Sequence, residues 1–268
     1  MKLSVFTTIK DPHRRGDNYT DAFHNYIDLA DEFVVVDGSK SHWGLVTPGD
    51  VYVHHYWPKE FKWTFIGKQF QRGYEACTGD WVIHADLDFI FHENDFEKIR
   101  QACELYNDYP ALTFFKRQFI MPNKYNVKSR LVVAVNKSKY GNRIKFNSGG
   151  DLAQPSLDGV YISPNDVPEA GVALYNYEKM TKTEQQIKDD CGRMDRAYFR
   201  HFGEYQFKGD GTDETAYEGW LQMVTGRYSK PQAQIKLSDH PKYVQETIRN
   251  LKPEQWGYTG FGRYETYV

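Results

Sequence analysis

The chain has 268 residues, 40% of them hydrophobic and 26% charged, with a formal net charge of −2. That balance supports a core of domain size and excludes a disordered chain. Lys and Arg are scattered rather than gathered into a basic stripe, which argues against a duplex-binding protein, and no apolar run approaches the roughly 20 residues that span a bilayer.

The N-terminus runs straight into a strand pattern and shows no signal-peptide architecture. Cys77, Cys103 and Cys191 are odd in number, far apart and without a CxxC pair. Neither a disulfide framework nor a cysteine metal site is expected, and a cytoplasmic setting is the simple reading. Aromatic residues reach 16%. Aromatic faces stack on sugar rings, although core packing accounts for most of them.

The first third alternates strand and helix signals. Leu3 to Thr7 is an apolar run that reads as a buried strand. Thr20 can cap a helix with Phe23, Tyr26, Ile27 and Ala30 on one face. Phe33 to Val36 is a β-branched run stopped by Asp37-Gly38-Ser39, and Val51 to Tyr56 is a third strand. Ile66, Phe70, Tyr74 and Cys77 form a helical stripe ended by Gly79. Trp81 to Ala85 is a fourth strand that runs into Asp86-Leu87-Asp88. Asn94 and Glu97 then resemble a capping box opening a helix with Phe96, Ile99, Cys103 and Tyr106 on one face.

Strands alternating with helices predict an α/β fold, a mostly parallel sheet covered on both faces. Ligands in such sheets sit outside the carboxyl ends of the strands. Thr7-Thr8, Asp37 and Asp86 all fall at those ends.

Strands are also expected at Ala111 to Phe115 and Leu131 to Val135. The stretch from Lys145 to Glu169 reads as loops. A long helix is expected from about Thr181 to Phe202, a shorter one carries Ala216, Trp220 and Val224, and another after Pro241 aligns Val244, Ile248 and Leu251. No structure is assigned to the aromatic, Gly-rich tail from Trp256 to Tyr267. No repeat or linker divides the chain, so a single domain over 1–268 is expected, with a donor half over 1–125 and an acceptor half over 126–268.

Asp86-Leu87-Asp88 is the strongest chemical signal. In an extended segment residues i and i+2 point the same way, so the two carboxylates can converge on one cation. Hard ions such as Mn²⁺ and Mg²⁺ take oxygen ligands and leave room for substrate phosphates. A solvated turn with two acids would give the same tripeptide.

The block from Gly67-Lys68 through Ala76-Cys77-Thr78-Gly79-Asp80 to Asp86-Leu87-Asp88 resembles the donor-site block of GT-A glycosyltransferases. It is most similar to the inverting family-two group, in which a basic helix, an Ala-x-x-Gly-acid turn and a strand ending in D-x-D follow one another. Phe6-Thr7-Thr8 and Val34-Val35-Val36-Asp37-Gly38-Ser39 are similar to that family's first two strands. The resemblance spans roughly the first 100 residues in the same order. It implies a Rossmann-like mixed sheet and a nucleoside-diphosphate sugar donor, a UDP-sugar first. It also implies Thr7 and Thr8 in the nucleotide pocket, Asp37 on the nucleoside, Lys68 facing the donor, Asp86 near the ribose or the metal, and Asp88 on the metal. The extra acid that often precedes Asp-Gly-Ser in the family is missing here.

In the second half, Thr212 can cap a helix whose first turn holds Asp213 and Glu214, which suits the helix dipole. In family-two enzymes an acidic pair at such a place supplies the catalytic base, and Asp213, then Glu214, is the candidate to deprotonate a glycan or other hydroxyl acceptor. His240, before Pro241, could cap a helix or reach the metal from the acceptor side.

Two other readings stay open. A sugar-phosphate nucleotidyltransferase would be expected to carry a Gly-rich loop where Thr7 to Asp11 stands. A non-catalytic carbohydrate- or nucleotide-binding protein would bind without transfer.

Overall fold

The computed structural model describes residues 1–40, 49–146 and 154–263. Its elements in chain order begin with β1 (Leu3–Ile9), α1 (Pro12–Arg15), α2 (Tyr19–Leu29), β2 (Glu32–Asp37), β3 (Val51–His54), α3 (Thr64–Ala76) and β4 (Trp81–His84). There follow β5 (Phe89–Phe91), α4 (Phe96–Leu105), β6 (Ala111–Met121), β7 (Lys124–Asn136), α5 (Lys137–Tyr140) and β8 (Ile144–Lys145). The rest are β9 (Ser156–Leu157), β10 (Val160–Tyr161), β11 (Glu169–Asn176), α6 (Glu184–Phe202), α7 (Asp213–Tyr228), β12 (Ala233–Gln234), α8 (Lys242–Arg249) and α9 (Trp256–Thr259).

The main sheet runs β3-β2-β1-β4-β7-β6-β11-β5, with β12 added against β7. β3, β2, β1 and β4 are parallel; β7 runs against β4 and β6, and β11 is parallel to β6. Because β7 inserts between β4 and β6, residues on both sides of position 125 share one sheet.

The first strands are apolar at nearly every position because both of their faces are covered. Val5, Phe33, Val35 and Ile83 pack with Phe23 and Tyr26 of α2 and Ile99 of α4. Their neighbours Phe6, Val34 and Val82 pack with Ile66, Phe70 and Tyr74 of α3. Alternation along a strand sends successive side chains to the two layers. A third cluster joins α6, α7 and α9 through Ile187, Trp220 and Trp256.

Two glycines set the approach of α3 to β1. A Cβ on Gly73 would lie 2.3 Å from the Phe6 ring, and one on Gly79 would lie 2.7 Å from Ser4 N. The Gly79 turn is tied down by the buried Glu32, whose carboxylate accepts from Ser4 Oγ at 2.6 Å and from Thr78 N and Oγ1 at 2.6 Å each. Burial pushes this carboxyl up, but those bonds outweigh it and hold it at about 2. Glu32→Gln is therefore expected to cost about 1–3 kcal/mol at pH 7. Because the folded group is held below its ordinary value, that contribution is present above it and fades as pH falls toward 2. Urea denaturation of both proteins at pH 7 and pH 3 checks this, since the gap between them should shrink at the lower pH.

Several boundaries differ from expectation. Tyr19 begins α2, so Asn18 rather than Thr20 is its cap, and the Asn18 side chain is drawn to Asp21. Asn94 lies in a short 3-10 turn over Glu93–Asp95, and α4 starts at Phe96 with no side-chain cap. β6 and β7 are longer than expected because their polar extensions pair with each other. β11 begins at Glu169, where the expected loop ends. Inside that stretch, Ser156–Leu157 and Val160–Tyr161 pair as a short hairpin, while 147–153 lies outside the described residues. Thr183 caps the long helix through a full capping box with Gln186. The tail holds α9 and a 3-10 turn; 264–268 lies outside the described residues.

Candidate functional site

β1 pairs with β2 on one side and with β4 on the other, so the strand order reverses between β1 and β4. A crevice outside the carboxyl ends of the strands is expected at such a switch. A cavity of about 620 Å³ opens there. Thr8 lines it from β1, Asp86 and Asp88 from the segment after β4, Gln118 from β6, and Asn176 with Glu178 from the end of β11.

The two aspartates converge through a tight turn and not along an extended strand. Phe89 N donates to Asp86 O at 2.8 Å and closes the turn. Tyr26, buried under it, donates its hydroxyl to Asp86 O and Phe89 O. From the other side, Tyr177 N donates to Asp88 O at 2.9 Å, and Asn176 Nδ2 donates to Asp88 Oδ2 at 2.8 Å. The turn is thus clamped between α2 and the end of β11.

The carboxyls differ electrically. His84 Nε2 lies 3.3 Å from Asp86 Oδ1, and the Asp86 side chain is 42% exposed to the cleft. Burial pushes Asp86 up, but His84, with Lys116 and Arg15, holds it below the usual range. Burial, with Asp86 and Glu178 adding like charge, pushes Asp88 up to about 7. Two acids this close are a pair whose mutual repulsion a divalent ion would relieve.

The opposite wall is basic. Lys10, Arg15, Lys116, Lys179, Lys182, Arg193 and Arg227 line the cavity, against the acids Asp17, Asp86, Asp88, Glu178 and Asp190. Asp190 is the hub. It pairs with Arg15 at 3.1 Å, Lys182 at 2.9 Å, Arg193 at 3.2 Å and Lys179 at 3.4 Å. Burial alone would push Asp190 up; Arg15, Lys179 and Lys182 hold it well below the usual carboxylate range. The cations exceed the acids, so the wall is suited to anionic oxygens.

The residues expected at the site are divided by the fold. Thr8, Asp86 and Asp88 share the cavity. Thr7 does not line it; its side chain is fully buried on the other face of β1. Asp37 is 1% exposed at the carboxyl end of β2, accepting from Ser39 N at 2.8 Å and from the Tyr52 hydroxyl. Lys68 is exposed on α3 and does not line the cavity, which that helix reaches through Ile66 and Phe70.

Asp213 and Glu214 start α7, capped by Thr212, and are held in ion pairs to α6: Arg196 with Asp213 and Lys188 with Glu214, each at 2.7 Å. Neither lines the cavity that holds Asp88. His240 is 1% exposed, and both ring nitrogens are engaged, Nδ1 with the Tyr177 hydroxyl at 2.8 Å and Nε2 with Pro122 O at 2.7 Å. It therefore has no nitrogen left to offer a metal in this arrangement, and it braces Tyr177 behind Asp88. His240→Phe is expected to cost about 2–4 kcal/mol, since it strands two buried polar partners. Burial lowers this imidazole below 6.5. The folded state therefore prefers it neutral, and the stability it supports is lost as pH falls below that value. Denaturant titrations from pH 8 to 5 should show the two proteins drawing together at acid pH.

The sheet order, with its crevice at the β1–β4 switch and acids lining it, is that of a mixed α/β fold, mainly parallel on its β3-β2-β1-β4 side, as the resemblance implies.

No family model and no curated sequence matches the chain. Among solved structures it is similar to S. aureus TarS 1-349 in complex with UDP, at 11% identity and a TM-score of 0.43 over 95% of this chain and 80% of that one. It is also similar to glucosyl-3-phosphoglycerate synthase from Mycobacterium tuberculosis in complex with Mn²⁺, UDP and phosphoglyceric acid, at 19% identity and a TM-score of 0.29 over 44% and 43% of the two chains. A third is the bifunctional IspDF from Campylobacter jejuni, at 12% identity and a TM-score of 0.38 over 70% and 54%. Likeness at this level carries no argument about activity.

Glu178, Asn176 and the basic wall were not expected from the sequence. Glu178 and Lys179 follow directly on β11, and a strand at Glu169–Asn176 would have pointed to them as residues at a carboxyl end. No short motif announces Arg15, Lys182, Asp190 and Arg193, because α1, the turn before α6 and α6 itself contribute them from distant parts of the chain.

Proposed function

We propose that the chain is a metal-dependent glycosyltransferase that moves a sugar from a nucleoside-diphosphate sugar, a UDP-sugar first, to an acceptor hydroxyl. The observation that carries this reading is the pair Asp86 and Asp88, turned into one cavity at the strand-order switch and faced by a basic wall. Asp86 and Asp88 would hold Mn²⁺ or Mg²⁺, which when bound supplies charge to stabilise a departing diphosphate. Lys182 and Arg193 suit the diphosphate oxygens. Asp37 does not line the cavity and its carboxylate is engaged, so its assignment to the nucleoside rests on the sequence resemblance, while Thr8 lies beside the donor.

In the reaction a carboxylate takes the proton of the acceptor hydroxyl. The acceptor oxygen then forms a bond to the anomeric carbon as the bond to the diphosphate oxygen breaks, and the diphosphate leaves with the electron pair. This inverts the anomeric centre. Glu178 is the base we assign, ahead of Asp213 and Glu214, because it shares the cavity with Asp88. A reducing cytosol is the setting we assign, on the ground that Cys77, Cys103 and Cys191 are free and buried. Among the described residues no helix is long and apolar enough to cross a membrane.

The experiment is a melting-temperature screen against UDP, GDP and CDP, each with Mn²⁺ and with chelator. Binding at about 100 times Kd stabilises by about 2.7 kcal/mol. A rise of several degrees with one nucleoside diphosphate, dependent on Mn²⁺, is expected. No rise with any of them from well-folded protein would overturn the reading in favour of a protein that binds without a nucleotide.

A further inference from the structure

A second cavity, of about 410 Å³, adjoins the first and shares Lys10, Arg15, Asp190 and Arg193 with it. It adds Arg14, Lys59, Arg196 and Arg200 to its basic lining, against the acids Glu60, Asp189 and Asp213. Its cations are unequally satisfied. Arg15 and Arg193 are committed to Asp190, and Arg196 to Asp213 at 2.7 Å. Arg200 reaches Glu60 only at 4.0 Å and donates to Phe61 O at 3.4 Å. Lys10 Nζ donates to the carbonyls of Trp57 at 2.9 Å and Pro58 at 3.2 Å. No carboxylate among the described residues ion-pairs with Lys10 or Lys59. Burial, and after it the like charge of Arg193, lowers Lys10 to about 8, with Asp11 opposing the shift only in part.

We propose that this second cavity binds the phosphate group of a phosphate-bearing acceptor, with Lys10, Lys59 and Arg200 as its principal contacts. The inference rests on the glycosyltransferase reading for the word acceptor; the anion site itself does not. A phosphate dianion fits better than a single carboxylate, because its oxygens can meet two ammonium groups and a guanidinium fork at once. The shared wall at Lys10 and Arg15 then leaves the rest of such a molecule directed toward the cavity of Asp88, where a hydroxyl is needed. The donor's own diphosphate is served by the cations of the first cavity, so Lys59 and Arg200 have no part in holding it.

The probe is glycerol 3-phosphate, titrated calorimetrically at low salt into wild type and into Lys59→Gln, Arg200→Gln and the double variant. UDP with Mn²⁺ is titrated into the same four proteins. Wild type is expected to bind glycerol 3-phosphate whether or not UDP is present. Each single variant should weaken it about tenfold, the loss of one charge-assisted bond, and the double variant about 100-fold. UDP affinity should stay within about twofold throughout. Glycerol 3-phosphate that competes with UDP, or that binds the double variant like wild type, overturns the proposal, and so does acetate binding as tightly as the phosphate. Failure of the donor reading shows separately, as wild type that binds no nucleoside diphosphate at all. Lys10→Gln provides a further check, since it should also weaken the phosphate probe, and melting temperatures near wild type confirm that each variant folds.

Discussion

Exchange of Asp88 for Asn is expected to slow transfer by about 100-fold or more and, in chelator, to raise the melting temperature by a few degrees. The two effects have one cause. Asp88 is crowded by Asp86 and Glu178 on the floor of the cavity, and burial with that like charge pushes it up to about 7. A carboxylate kept there is an electrostatic cost to the metal-free fold. An amide removes the charge and can still accept the 2.8 Å bond from Asn176 Nδ2, so the turn should keep its shape. The gain is on the order of 1–2 kcal/mol, below a full conversion of the raised value, because Lys116 and cleft water screen the pair. The same change deletes an anionic metal ligand, so Mn²⁺ affinity, read by electron paramagnetic resonance, should fall together with transfer. Unaltered Mn²⁺ affinity and full transfer would remove Asp88 from the metal site. Lost transfer with a lower melting temperature would show that Asp88 is a structural residue.

The strands and the turn that bring Asp86 and Asp88 to the cavity were legible because their signals are local. The strand before Asp86 is a continuous apolar run, and strands covered on both faces have that pattern wherever they occur. Gly79 is needed where Ser4 comes within 2.7 Å of a notional Cβ, so the turn leading into β4 is also written in one residue. What the local pattern could not give is which side of an element faces the crevice. Lys68 lies two residues from both Ile66 and Phe70 on α3, and only the docking of the helix decides that those two line the cavity while Lys68 faces outward. His240 looked available from its place before Pro241, yet the packing of α8 leaves it between Tyr177 and Pro122. The basic wall was illegible for a different reason. Arg15 and Asp190 are 175 positions apart, and an ion pair at that separation has no sequence period to betray it.

Glu178→Gln is expected to slow transfer by about 10²–10⁴-fold while leaving donor affinity in place, the range for loss of a positioned general base. Three features single this residue out. It follows Tyr177, whose N–H holds Asp88 O, so its backbone is fixed against the metal turn. Its φ is 35°, in the left-handed region, which costs a non-glycine residue on the order of 1 kcal/mol and directs the side chain into the cavity. Its carboxylate accepts from Gln118 Nε2 and, at 3.5 Å, from Trp220 Nε1, bonds that orient it without neutralising it. Asp213 is arranged otherwise, with the Arg196 guanidinium 2.7 Å away competing for the lone pair a base would use. Asp213→Asn should therefore slow transfer less than about tenfold. Donor binding and stability separate a base from a merely structural residue, because Glu178→Gln should leave UDP affinity and melting temperature near wild type, whereas a packing defect would lower both. If Asp213→Asn proves the more damaging change and Glu178→Gln is benign, the base lies at the start of α7, and the Arg196 pair must open when acceptor binds.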